Sequence, residues 1–243
     1  MDLREQTALV TGGGSGIGQA IALALAQEGC RVAITGRDGE RLQRTVKSHC
    51  GPTPILCRAC DVSDRAQVQE LLAWFQSQWG DPHILVNSAG VNVAKRRMAE
   101  LDPADWDHML AINLSGAFHC MQAVLPGMRK RQSGLIVNIS SISGKRASKL
   151  GGVGYCASKF GVTGLGTAVG LEERENGIRV TNVYPGEVNT PILEKRPVPV
   201  PPEKRAQMLQ PQDIAACVVT IAKLPSTALV PELVITPLYQ EYA

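Results

Sequence analysis

Aromatic residues are scarce in this chain: Phe, Trp and Tyr together make up 4% of its 243 residues. A surface that stacks bases needs more of them, so a single-stranded nucleic acid platform is disfavoured. Charge of one sign is equally scarce. Lys and Arg number 25 against 22 Asp and Glu, a net charge of +3, which gives no electrostatic footprint for nucleic acid. Long apolar runs are missing too. The longest obvious one, Ala20 to Ala26, is far too short to cross a bilayer. The opening Met1-Asp2-Leu3-Arg4-Glu5-Gln6 is polar and shows no signal-peptide pattern. The expectation is a cytoplasmic protein with neither a nucleic acid nor a membrane partner.

Cysteine occurs seven times, an odd number that rules out complete pairing within the chain. Cys57 and Cys60 form a lone Cys-x-x-Cys, which reads as a redox pair or half a zinc site. No second cysteine pair or suitably spaced histidine stands near it. Buried thiols in and after a strand are the favoured explanation. Cys156 follows Tyr155 directly, so on a helix it points away from that side chain and receives no catalytic role.

What remains is an ordinary globular composition, 44% apolar and 19% charged. The length suits one large α/β domain over residues 1–243. Strand-like and helix-like stretches alternate. Apolar or β-branched runs at 7–10, 31–35, 55–60, 83–86, 135–139, 178–183 and 229–235 read as strands. Helical stretches fall at 17–27, 41–48, 64–79, 105–130, 154–175 and 211–223, the fourth bent near Gly116 or Pro126. Repeated βα units predict right-handed crossovers and a doubly wound parallel sheet of about seven strands, covered by helices on both faces. Two segments break the rhythm, 91–101 and the Pro-rich Lys195 to Pro202. The second lies just past a Tyr-Pro-Gly turn, and residues 191–210 are expected to form a substrate lid rather than a plain connector.

The glycine cluster Thr11-Gly12-Gly13-Gly14-Ser15-Gly16-Ile17-Gly18 follows the first strand and opens the first helix. Glycines there permit a tight turn and a close backbone approach to a pyrophosphate, and the free N–H groups of the helix start meet its charge. The position where NAD sites place a carboxylate for the ribose is Gly36, followed by Arg37. A guanidinium pairs with a 2′-phosphate, so NADP(H) is expected over NAD(H). Asp38 opposes this, although its side chain suits the cap of the next helix. Farther along, Tyr155 and Lys159 stand four residues apart and share one helix face. An ammonium beside a phenol favours the phenolate. A tyrosine so placed can exchange a proton with an alcohol or a ketone.

Together these residues resemble the short-chain dehydrogenase/reductase family, over most of the chain to about Thr190. The resemblance implies a Rossmann-like fold and the following roles. The turn Gly12, Ser15, Gly16, Ile17 and Gly18, with Arg37, would hold the coenzyme. Asp61 and Val62 look like the adenine-binding pair. Asn87-Ser88-Ala89-Gly90 is similar to the family's Asn-Asn-Ala-Gly, with Ser88 as a departure. Asn113 matches the asparagine of the proton relay, and Ser141 of Asn138-Ile139-Ser140-Ser141 the catalytic serine, with Ser140 its rival. Tyr155 and Lys159 match Tyr-x-x-x-Lys, Lys159 also binding the nicotinamide ribose. Pro185, Gly186, Val188 and Thr190 resemble the turn over the nicotinamide. A homotetramer or homodimer built through the two long helices is implied as well. The ending Leu233-Val234-Ile235-Thr236-Pro237 replaces the commoner Asp-Gly-Gly tail.

The expected activity is hydride transfer between NADP(H) and a small carbonyl or secondary alcohol. Three basic clusters, Lys95-Arg96-Arg97, Lys145-Arg146 with Lys149, and Lys195-Arg196 with Lys204-Arg205, are expected to rim the pocket and suit an acidic substrate; a solvated positive surface is the plainer alternative. A catalytically silent NADP(H)-binding sensor is the competing function, disfavoured because a sensor needs no proton relay. An isomerase, dehydratase or epimerase would need further catalytic groups.

Overall fold

The computed structural model describes residues 1–51 and 53–241. In chain order the first half comprises β1 (Thr7–Thr11), α1 (Gly16–Gln27), β2 (Arg31–Gly36), α2 (Gly39–Ser48), β3 (Ile55–Ala59), α3 (Arg65–Trp79) and β4 (Ile84–Asn87). The second half adds α4 (Pro103–Leu110), α5 (Gly116–Arg131), β5 (Gly134–Ile139), α6 (Val153–Glu172), β6 (Ile178–Pro185), α7 (Pro202–Gln207), α8 (Pro211–Lys223) and β7 (Glu232–Ile235). The seven strands form one parallel sheet in the order β3-β2-β1-β4-β5-β6-β7.

Strand periodicity divides the core. Ala8, Val10, Val32, Ile34, Ile84, Val86, Leu135 and Val137 face one layer, where Ile21 and Leu25 of α1 and Ile214 and Val218 of α8 meet them. Leu9, Ala33, Leu85 and Ile136 point the other way, toward Phe75 of α3, Met121, Val124 and Met128 of α5, and Val162 of α6. Alternate side chains leave opposite faces, so a strand covered twice must be apolar throughout. Each fully buried Leu or Ile contributes about 1.5–3 kcal/mol by leaving water.

Helix starts follow local chemistry. Asp64 accepts from the N–H groups of Ala66 and Gln67, Asp102 accepts from Ala104 N ahead of Pro103, and Asp38 accepts from Arg41 N. The expected long helix over 105–130 is interrupted directly before Gly116, one of the two positions expected. A π-helical turn, Ala111–Ser115, separates α4 from α5, while Pro126 sits inside α5. This run, Pro103–Arg131, is long and apolar enough by composition to span a membrane, but Cys120, Met121, Val124 and Met128 are spent on the core. The helix expected over 154–175 ends at Glu172 and passes into a 3-10 turn, Arg174–Asn176; the last strand begins only at Glu232.

A polar seam crosses the sheet near the strand ends. Asn87, Asn138 and Asn182 stand in register on β4, β5 and β6. Asn87 donates to Asn138 at 2.9 Å and Asn138 donates to Asn182 at 3.1 Å. Asn138 is fully buried, so its removal orphans the amide donor of Asn87 and the amide oxygen of Asn182. Asn138→Ala is expected to lower unfolding free energy by about 2–4 kcal/mol, measured by urea denaturation.

Candidate active site

Strand order reverses direction between β1 and β4, and the loops leaving the carboxyl ends of the strands diverge there. The result is a cleft of ≈ 690 Å³, the usual place for a ligand in such a sheet. One end is the glycine turn. Gly12 has φ +68°, and a Cβ on it would lie 2.9 Å from Ala89 N; a Cβ on Gly18 would lie 2.5 Å from the Gly12 carbonyl. Only glycine allows this closeness. Thr11 Oγ1 fastens the neighbouring turn by accepting from Ser88 N at 3.0 Å and Ala89 N at 3.1 Å. Helix α1 has no side-chain cap and no acidic residue in its first turn, so its leading N–H groups are left for an anion.

Arg37 and Arg41 line the same end. Gly36 presents no side chain, and a Cβ there would meet only Leu42 at 3.8 Å. Asp38 caps α2 and pairs with Arg41 at 3.1 Å, so its carboxylate is occupied. These groups fit a dinucleotide with a phosphorylated ribose.

The other end gathers side chains from β5 and α6. Ser141, Tyr155 and Lys159 all line the cleft. Ser141 Oγ accepts from Ser143 N at 3.1 Å, and its hydroxyl favours the Tyr155 phenolate. Ser140 also lines the cleft, but it is buried and its hydroxyl donates to the Lys159 carbonyl at 3.1 Å. Lys159 Nζ donates to Ile139 O at 2.8 Å and lies 5.6 Å from the centre of the Tyr155 ring. Burial pushes the ammonium down to about 8. Burial also pushes Tyr155 up, against the opposing hydrogen bond from Ser141 and the charge of Arg96. The expected depression of the phenol by its lysine is therefore not present in the open cleft, because Lys159 spends its bond on a carbonyl and desolvation dominates.

Behind this end lies a small cavity of ≈ 10 Å³ lined by Thr11, Val62, Asn87, Ala89, Asn113 and Lys159 among others, about the room of one water. Asn87 Oδ1 is buried without a partner. Asn113, in the π turn, accepts from Val91 N at 2.8 Å and donates to Val91 O and Ser158 Oγ, each at 3.0 Å. A π turn shifts the helical ladder by one residue and is common at functional sites.

The short chain dehydrogenase profile matches residues 6–198. The chain belongs to the short-chain dehydrogenase family. An uncharacterized oxidoreductase of Staphylococcus aureus (strain MW2) is 34% identical over 235 residues, 97% of this chain and 98% of its own. Among solved structures, an alcohol dehydrogenase from the archaeon Thermococcus sibiricus complexed with 5-hydroxy-NADP superposes with TM-score 0.88 at 27% identity, over 98% of this chain and 99% of that one. A closed form of serine dehydrogenase complexed with NADP+ gives 0.87 at 31% identity, over 98% and 97%.

Within this short-chain dehydrogenase, Gly12, Ser15, Gly16, Ile17, Gly18, Arg37, Gly90, Ser141, Tyr155, Lys159, Pro185, Gly186, Val188 and Thr190 share the cleft wall. Val62, Asn87, Ala89 and Asn113 line the small cavity instead. Asp61 lines neither; it accepts from Ser63 N and Oγ and feels the charge of Arg37. Sequence reasoning missed Arg41, Asn92 and Gln240 on the cleft wall. Arg41's signal was available: it follows the Asp38 cap by one turn.

The basic rim differs from expectation. Lys95, Arg97, Arg146, Lys149, Lys204 and Arg205 are not on the cleft wall, whereas Arg96, Lys195 and Arg196 are. Lys145 pairs with Glu232, and Arg196 pairs with Glu187 at 2.8 Å. Consecutive loop residues point in different directions, so a run of three charges cannot all face one pocket.

The lysine makes a pH prediction. Its folded pKa of about 8 lies below the reference 10.5, so between these values the unfolded chain binds more protons and stability rises with pH. Below pH 8 both states are charged and the burial penalty is fully present. Relative to Lys159→Met, wild-type stability should climb by on the order of 3 kcal/mol from pH 8 to 10.5, measured by denaturation at fixed ionic strength.

Proposed function

We propose that the chain is an NADP(H)-dependent reductase or dehydrogenase acting on a carbonyl or secondary alcohol. The observation that supports it most is one cleft with the glycine turn and Arg37 at one end and Ser141, Tyr155 and Lys159 at the other. When bound, NADP(H) supplies or accepts the hydride. Arg37 and Arg41 pair with the 2′-phosphate, and the first turn of α1 receives the pyrophosphate. Ser141 donates a hydrogen bond to the substrate oxygen and holds it beside the phenol. Tyr155, kept protonated by burial, delivers its proton to the carbonyl oxygen in reduction and takes one in oxidation. Lys159 supplies the positive charge that steadies the phenolate left behind and binds the nicotinamide ribose. Asn113 and the small cavity behind Lys159 hold a water through which the proton is replaced.

Residues 191–210 act as the substrate lid. Leu193, Val200 and Met208 form a small apolar cluster of their own, so the segment moves as a unit rather than as a loose strap. The exposed Phe118 on α5 and Phe160 and Leu171 on α6 support assembly of copies through these helices.

Tyr155→Phe is expected to lower kcat by about 10²–10⁴ while NADPH still binds, followed by NADPH absorbance over a carbonyl panel and by fluorescence titration. NADPH binding with no turnover on any substrate in wild type would point to a sensor instead. Arg37→Glu should weaken NADPH at least about tenfold and leave NADH nearly unchanged, since only the former carries the 2′-phosphate.

A further inference from the structure

The cleft wall beside Tyr155 holds a buried cation that pairs with no acid among the described residues. Arg96 is 6% exposed. Its Nε donates to Val93 O at 2.9 Å, Nη1 to Leu150 O at 2.7 Å and Nη2 to Lys195 O at 2.6 Å. The three carbonyls lie in three different loops: the one leaving β4, the one entering α6 and the one following β6. Among the described residues no carboxylate forms an ion pair with Arg96. Two carboxylates line the wall, Glu187 and Glu194; Glu187 is taken by Arg196 at 2.8 Å, Lys204 at 3.6 Å and the Tyr239 hydroxyl, and Glu194 forms no ion pair with Arg96 either.

Carbonyl dipoles solvate a guanidinium without cancelling its charge, and a buried charge without a counter-ion is costly. The titratable neighbours of Arg96 are a second cation, Arg196, and the Tyr155 phenol, which burial keeps neutral. A guanidinium has five N–H bonds, and the three carbonyls use three. Arg96 lines the cleft together with Ser141 and Tyr155, on the wall where the reacting oxygen would sit. A side chain that only tied loops together would need neither a place on that wall nor donors to spare. A planar cation with two donors left is matched by a planar anion.

We propose that Arg96 binds a carboxylate of the substrate, so that the cleft selects oxo acids and hydroxy acids over neutral carbonyl compounds. This rests on the reductase function proposed above. The carboxylate supplies the missing countercharge, and its bond to the guanidinium places the carbonyl near Ser141 and Tyr155. Because Arg96 also holds Lys195 O, the same side chain links the anion to the lid.

The test uses the full-length protein with NADPH and two acids, acetoacetate and levulinate, each beside its methyl ester. Wild type should favour the acids. Arg96→Gln should raise KM for the preferred acid at least about tenfold, with KM for the ester and the Kd for NADPH changed by less than about threefold. Arg96→Lys keeps the charge and loses the fork, so it should lie between; it carries the comparison if Arg96→Gln does not fold by circular dichroism. Equal shifts for acid and ester, or wild type reducing esters as well as acids, would overturn the proposal. Should NADPH bind but no compound be reduced, the reductase function fails separately. Calorimetric titration of levulinate onto the NADP+-bound protein then decides: binding lost in Arg96→Gln supports the carboxylate site, and no binding in wild type overturns it.

Discussion

Parallel strands cannot be joined by tight turns; each return must cross over a face of the sheet. In this chain that constraint organises everything else. Crossovers build outward from β1 to β3, then the chain returns to place β4 on the other side of β1 and builds outward again. Loops at the carboxyl ends of β1 and β4 must part. The cleft is the space they leave, and the segments that line it follow the strand ends. The glycine turn follows β1, the Asn87–Gly90 turn follows β4, Ser141 follows β5, and the Pro185–Thr190 segment closes β6.

The site is held by polar groups that the core would otherwise exclude. Thr11 ties two turns through one hydroxyl. Asn113 fastens the loop after β4 to the π turn and to Ser158 on α6. The Asn87–Asn138–Asn182 seam locks β4 to β6 beneath them. A buried polar network is favourable only when its members are satisfied, and the unpartnered Asn87 Oδ1 marks where the seam meets the water-sized cavity beside Lys159. Burial then moves Tyr155 and Lys159 in opposite directions, raising the phenol and lowering the ammonium. Beside the phenol stands Arg96, the cation whose bonds to three carbonyls tie three loops together.

Much of the fold was legible in the residues. Continuous apolar strands, helical spacing in α3 and the placement of glycine at 12, 16 and 18 are local signals, and each element formed close to where they pointed. Boundaries that depended on competing partners were not legible. The π turn at Ala111–Ser115 arises where Asn113 bonds Val91 and Ser158 across the fold, a demand absent from helix propensity. At the site, Tyr155 and Lys159 share a face because four residues make about one turn. The direction of the phenol's shift was misjudged, because spacing reports neighbours but not burial.

By itself, then, the sequence determined the order of strands and helices, the glycine turn, the tyrosine-lysine spacing and the absence of a carboxylate at Gly36, because each depends on residues close together in the chain. Tertiary structure alone decided that the Ser140 hydroxyl is spent on the Lys159 carbonyl and that Arg96, not Arg97 or Arg146, reaches the cleft wall. It also decided that Lys159 is bonded to Ile139. Those outcomes turn on side-chain direction and desolvation, which depend on what distant segments pack against a residue.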